Sequence, residues 1–229
     1  TSRYVKAKLA EQGVSVEDFG AVGDGNADDT SAIQQAFARG TVLGVNVIWP
    51  AGTYKTSAAI TMTHASGVKV IGAGRGTTII TPTHATANAF TFTACSSCGI
   101  SGMSILHTAG STGAAFAVGG ASPNFIAKDV EIPANGTYAG FDYAFDFSGA
   151  SDYDLIENCQ VNANLVAIRE NATSNAKPQV MIGCQVGATS AATVSPTSGI
   201  ELNGLNGPYY FFANRIFGAT NNVLFSAAQ

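Results

Sequence analysis

Pairs of apolar residues separated by a single residue recur along most of the chain, and this recurrence limits the possible folds more than any other feature. The pairs are Phe90/Phe92, Phe116/Val118, Phe145/Phe147, Val166/Ile168, Ile200/Leu202 and Val223/Phe225. Roughly ten to fifteen residues after each of the first five comes Gly102, Asp129, Asn158, Gly183 or Asn214, residue types that tolerate a left-handed bend. Past the first four bends a second apolar pair follows: Met103/Ile105, Val130/Ile132, Cys159/Val161 and Cys184/Val186. Each unit therefore carries strand, loop, strand, bend and strand. Such a repeat fits stacked coils that contact only their neighbours. A β-sandwich would instead need hairpin turns, and only Asn135-Gly136 and Asn206-Gly207 offer that signal. The pattern predicts an all-β solenoid, a parallel β-helix.

A solenoid must protect its ends. Val14 to Arg39 suits the first end. Val14 and Val16 alternate like a short strand. Gly20, Gly23 and Gly25 mark sharp turns. Asp28, Asp29 and Thr30 supply N-cap oxygens, and Ala32, Ile33, Ala36 and Phe37 give a helix one apolar face. Gly40 is placed to end that helix. The expected organisation is a neck or linker over residues 1–13, an opening strand and capping helix over 14–40, and a parallel β-helix over 41–229. No cap-like segment follows Phe225, so the coil is expected to be truncated there or completed by a partner.

The run DFGAVGDGNADDTSAIQQAF, followed by VIWPAGTY (Val47 to Tyr54) and VIGAGRGTTII (Val70 to Ile80), resembles the opening of the pectate-lyase-like superfamily of right-handed parallel β-helices. The stretch YVKAKLAEQGVSVEDFGAVGDG resembles the neck-to-spike junction of bacteriophage tailspikes. The resemblance covers about the first third of the chain. It implies a right-handed β-helix with an N-terminal capping α-helix. It also implies a tailspike-like depolymerase on the virion tail, a homotrimer whose partner is bacterial polysaccharide, capsule or lipopolysaccharide. A secreted protein is the alternative location. In the family this opening region is a cap, so it says little about activity.

Composition narrows the partners. Charged residues are 11% of the chain, against an average of about 25%. No apolar run nears the roughly 18 residues of a membrane span, so no membrane insertion is expected. The net charge of -4 offers no nucleic-acid footprint. Cys159 and Cys184 fall at the inward position of Met103 and Val130 and read as buried thiols. Cys95 and Cys98 form one C-x-x-C without a second pair or a nearby His, so no metal is expected. The loop GAGRGT at Gly72 is followed by strand-like residues, not by the helix a phosphate site needs, and no cofactor is expected. His64, His84 and His107 share no motif and read as surface or turn residues.

The repeat places the acids. Residues between two inward side chains point outward. One outward column reads Thr91, Ala117, Asp146, Ala167, Glu201 and Leu224; the next reads Thr93, Gly119, Ser148, Arg169, Asn203 and Ser226. With strands about 4.8 Å apart, Asp146 and Glu201 lie about 9.6 Å apart, two coils away, with Arg169 on the coil between. Inverting glycosidases separate their two carboxyl groups by roughly 6.5–9.5 Å. Asp146 and Glu201 are the candidate acid and base, and Arg169 would hold an acidic sugar or depress a neighbouring carboxyl pKa. Asp142, Glu170 and Tyr143 are candidate substrate-binding residues. Tyr138, Tyr209 and Tyr210 add aromatic surface suited to sugars. The competing reading is a solubilising face or a plain cross-coil ion pair, as expected for Lys128 and Glu157. The expected function is binding and cleavage of bacterial surface polysaccharide, with a hydrolase ranked above a lyase. The alternatives are a non-catalytic glycan-binding or stalk module and a secreted pectin-type lyase or hydrolase.

Overall fold

The computed structural model describes residues 13–133, 138–149, 152–171, 179–187, 198–202, 208–217 and 221–225. The neck segment other than Gly13 lies outside them, as do Asn135-Gly136, Asn203, Asn206-Gly207 and Ser226. One sheet has seven strands, Ile60–Thr63, Phe90–Thr93, Ser111–Gly119, Phe141–Ser148, Val166–Asn171, Ser198–Leu202 and Asn221–Phe225, each beside the next. Every pairing among them is parallel. The second, fourteen-stranded sheet runs through Val47–Trp49, Lys69–Gly72, Gly99–Ile105, Ile126–Ile132, Leu155–Glu157, Gln179–Ile182 and Tyr209–Phe212. Each strand pairs with its counterparts one coil before and one coil after. The fold is the expected parallel β-helix, with the right-handed crossover that parallel strands favour.

The inward pairs build its core. Phe90, Phe116 and Phe145 stack coil upon coil, with ring centres 5.4 and 5.0 Å apart and planes within 20°. Phe37 of the capping helix α1 (Thr30–Leu43) extends the stack, 6.2 Å from Phe90. Trp49 meets Phe37 and Tyr54 edge-on. Burying such rings contributes most of the stability of a small core.

The helix also closes a sheet edge. Gln34 Nε2 donates to Thr61 O at 2.7 Å, and Thr61 N donates to Gln34 Oε1 at 2.9 Å. One side-chain amide thus replaces a missing strand, a direct way to blunt an exposed edge. Asp29 is the N-cap but makes no side-chain cap bond; its carboxylate accepts from Val22 N and Gly23 N. Gly40 does not end the helix, which runs to Leu43 and closes at Gly44 with φ 65°. Gly40 is needed for close packing: a Cβ there would sit 2.6 Å from Val47 Cγ2.

Gly102, Asp129, Asn158 and Gly183 adopt positive φ as expected. The fifth bend falls at Ala213 (φ 53°), one residue before Asn214. Asn214 instead turns its amide inward, accepting from Cys184 N and donating to Met181 O, both at 2.8 Å. Ser104, His107, Asp154 and Glu170 are also buried, so the interior is not wholly apolar.

One register differs from the sequence reading. Phe145 pairs with Ile168, not Val166, and Ile168 with Ile200. The shift is two residues. A side-chain period of two buries Val166 and Ile168 under either pairing, so alternation alone does not distinguish them.

Candidate functional site

The register change brings the three candidate catalytic residues into one row. Asp146 pairs with Arg169, and Arg169 with Glu201, on successive strands of the seven-stranded sheet. The outward column is Thr91, Ala117, Asp146, Arg169 and Glu201. Arg169 therefore stands directly between the two acids, and Ala167 drops out of the column and is buried.

Arg169 is committed to one of those acids. Its Nε donates to Asp146 Oδ1 at 2.8 Å and its Nη2 to Asp146 Oδ2 at 2.7 Å. Its guanidinium carbon lies 3.6 Å from the centre of the Tyr143 ring. Planar, two-pronged pairing and ring stacking are both arginine-specific contacts. The hydrogen bonds to Asp146 raise the Arg169 pKa above its ordinary value. Among the described residues Glu201 accepts no hydrogen bond, so it is the free carboxylate of the row.

Asp142 and Tyr143 begin the same strand as Asp146. Tyr143 reaches Arg169, whereas Asp142 opens onto a cleft of about 310 Å³ beside Gly110, Ser111, Thr112, Ala139 and Asn164. Backbone pairing sets two of these together: Asn164 N donates to Phe141 O at 2.7 Å and Leu165 N to Asp142 O at 3.1 Å. Asn164 Oδ1 is buried without a partner among the described residues. The sequence reading missed Asn164; only its pairing with the previous coil places it beside Asp142.

His107 lies beneath the cleft and holds Gly110, one of its lining residues. It is fully buried, and its Nε2 lies 2.7 Å from His84 O while Gly110 N donates to its Nδ1 at 3.0 Å. These bonds assign the tautomer protonated on Nε2. The His84 ring nitrogens are buried as well. Burial lowers both imidazole pKa values. The expectation of a surface or turn residue is thus corrected for His107, which is fully buried; His84 is half-buried in the loop after Thr78–Pro82, and His64 is exposed.

Glu170 is a correction of greater consequence. It pairs with Phe147 and Leu202, both inward residues, and is only 2% exposed. It cannot touch a ligand on the outer face. Burial, reinforced by the negative charge of Asp154, pushes its pKa up to about 9. Tyr209 also turns inward and buries its hydroxyl, while Tyr210 stays 44% exposed. Lys128 and Glu157 form the expected cross-coil pair at 3.1 Å. All four cysteines are buried free thiols.

The sequence profile of the family described as "Rhamnogalacturonase A/epimerase, pectate lyase-like" matches residues 13–223. The chain belongs to that family. Among curated relatives of this family member, a mannuronan C5-epimerase, AlgE3 of Azotobacter vinelandii, is 42% identical over 72 residues. That match spans 29% of the chain and only 4% of the relative's length. Among solved structures, the Dettilon tailspike protein superposes with TM-score 0.69 at 14% identity, covering 96% of this chain and 47% of that one. The surface adhesin PfbA of Streptococcus pneumoniae superposes with TM-score 0.66 at 16% identity, covering 94% and 62%. At such identities the superpositions show a shared fold. An epimerase, a tailspike and an adhesin on one fold mean that activity must be argued from the site.

Proposed function

We propose that this β-helix binds bacterial surface polysaccharide along the outer face of its seven-stranded sheet, as a tailspike-like protein. The observation that carries this reading is the single row of Asp146, Arg169 and Glu201, flanked by Tyr143 and continued into the Asp142–Asn164 cleft. Sugar hydroxyls need acceptors, and the Glu201 and Asp142 carboxylates are acceptors without side-chain partners among the described residues. The paired Arg169 and Tyr143 form a rigid platform between them. The small outward residues Thr91, Ala117 and Gly119 leave the sheet flat enough for an extended chain.

The charge of the row also indicates the sugar class. Arg169 is neutralised by Asp146, and Glu201 leaves an unbalanced negative charge. A neutral or amino-bearing glycan fits this face better than a uronate. The tailspike reading carries with it a homotrimer and a place on the virion tail.

Hydrolysis is a second reading, favoured by two carboxylate-bearing residues two coils apart, their backbones about 9.6 Å from one another. It requires Asp146 to leave Arg169, because both of its oxygens are engaged. Release of reducing ends from capsule or lipopolysaccharide separates the readings. Binding without release supports the first. Release that disappears in both Asp146→Asn and Glu201→Gln supports the second. No binding to any surface glycan would remove both.

A further inference from the structure

The register that turns Arg169 outward turns Glu170 into the core. Among the described residues its Oε1 has no hydrogen-bond partner, and neither does the buried hydroxyl of Tyr209. The two line one chamber with Phe147, Ile156, Leu202 and Phe211. The chamber has a volume of about 30 Å³. The wall of that space is almost wholly apolar, so it offers an ionised carboxylate no solvation.

We propose that Glu170 is a neutral carboxylic acid in the folded protein and that losing its proton loosens the last coils. An unpaired buried carboxylate is strongly disfavoured, so the group keeps its proton instead. The charged groups that act on it are Asp154, Asp146 and Asp152, all acidic. Asp154 is itself occupied, accepting from Phe125 N at 2.7 Å and Gln179 Nε2 at 3.2 Å. Tyr209, from the coil above, is the other titratable group lining the chamber, and its own pKa is pushed up to about 12 by burial. No cation stands among these influences. As a neutral acid, Glu170 carries no charge into this apolar space; as an anion, it would be unsolvated and repelled by the nearby negative charges, Asp154 foremost. The inference does not rest on glycan binding and concerns the opposite face of the sheet.

The test is the pH dependence of unfolding in wild type and Glu170→Gln. The folded pKa lies above the unfolded value, from 4.5 up to about 9. The associated stability is therefore complete below pH 4.5 and is lost as pH rises through 9. Between these limits the wild-type unfolding constant should rise up to about tenfold per pH unit relative to Glu170→Gln, which keeps the shape without the proton. Parallel pH curves for the two proteins would overturn the proposal. Infrared spectroscopy gives a second readout that needs no variant. A protonated-carboxyl C=O band should be present at pH 7 and vanish on alkaline titration. Absence of that band in the folded protein would also overturn it.

Discussion

Arg169 and Asp146 meet through two parallel hydrogen bonds of 2.8 and 2.7 Å across neighbouring coils, under the ring of Tyr143. Their side chains keep only 26% and 19% of their exposure, so the pair is largely sheltered from solvent. A double-mutant cycle of Arg169→Ala and Asp146→Asn, read by denaturant unfolding, should give a coupling of about 1–2 kcal/mol. Arg169→Lys should not restore it, because an ammonium cannot reproduce the two-pronged geometry.

The aromatic ladder from Phe37 through Phe145 should dominate stability. Phe116, stacked between Phe90 and Phe145, has no exposure. Phe116→Ala should destabilise the fold by about 3–5 kcal/mol in thermal or denaturant unfolding. Truncating the exposed Tyr210 should move stability by less than about 0.5 kcal/mol.

The cap depends on two residues that burial of apolar surface alone would not single out. Gln34→Ala removes both bonds to the edge strand at Thr61 and should destabilise by about 1–3 kcal/mol, as orphaned strand groups do. Gly40→Ala should be similarly damaging through overpacking against Val47, at about 1–3 kcal/mol. Hydrogen exchange should show the strand Ile60–Thr63 losing protection first in both variants.

Asp28 gives the cap an acid sensitivity. Hydrogen bonds from the Ser57 hydroxyl, then from Thr30, hold its pKa down at about 2, below the ordinary 3.8. A depressed carboxyl contributes stability above pH 3.8 that is lost as pH falls through 2. Asp28 is exposed, so solvent screening limits the effect to under about 1 kcal/mol. Ser57→Ala should flatten the acid limb of the stability curve.

Much of this was legible in the sequence, and the failures have identifiable causes. Alternation revealed the inward pairs because a coil must hide one face and wet the other. Four of the five bends were found because Gly, Asn and Asp tolerate positive φ; Ala213 was missed because alanine carries no such signal. Glu170 was misplaced although its spacing from Val166 and Ile168 marks it as inward. Its charge argued for the surface, while the chamber that shelters it is built by Tyr209 and Leu202, far along the chain. The Arg169 register was ambiguous because a two-residue slip conserves burial. His107 and Asn164 depend on pairing with other coils, which a single sequence does not display.

The central claim is that the outer row around Arg169 is the glycan-binding face. The most direct measurement is calorimetric titration of purified bacterial surface polysaccharides into wild type, Glu201→Gln, Tyr143→Ala and a Lys128→Ala control. Glu201→Gln and Tyr143→Ala should weaken binding at least about tenfold, or about 1.4 kcal/mol, while the Lys128→Ala control, on the other sheet, should bind like wild type. Unchanged affinity in both Glu201→Gln and Tyr143→Ala, with their folds intact, would contradict it.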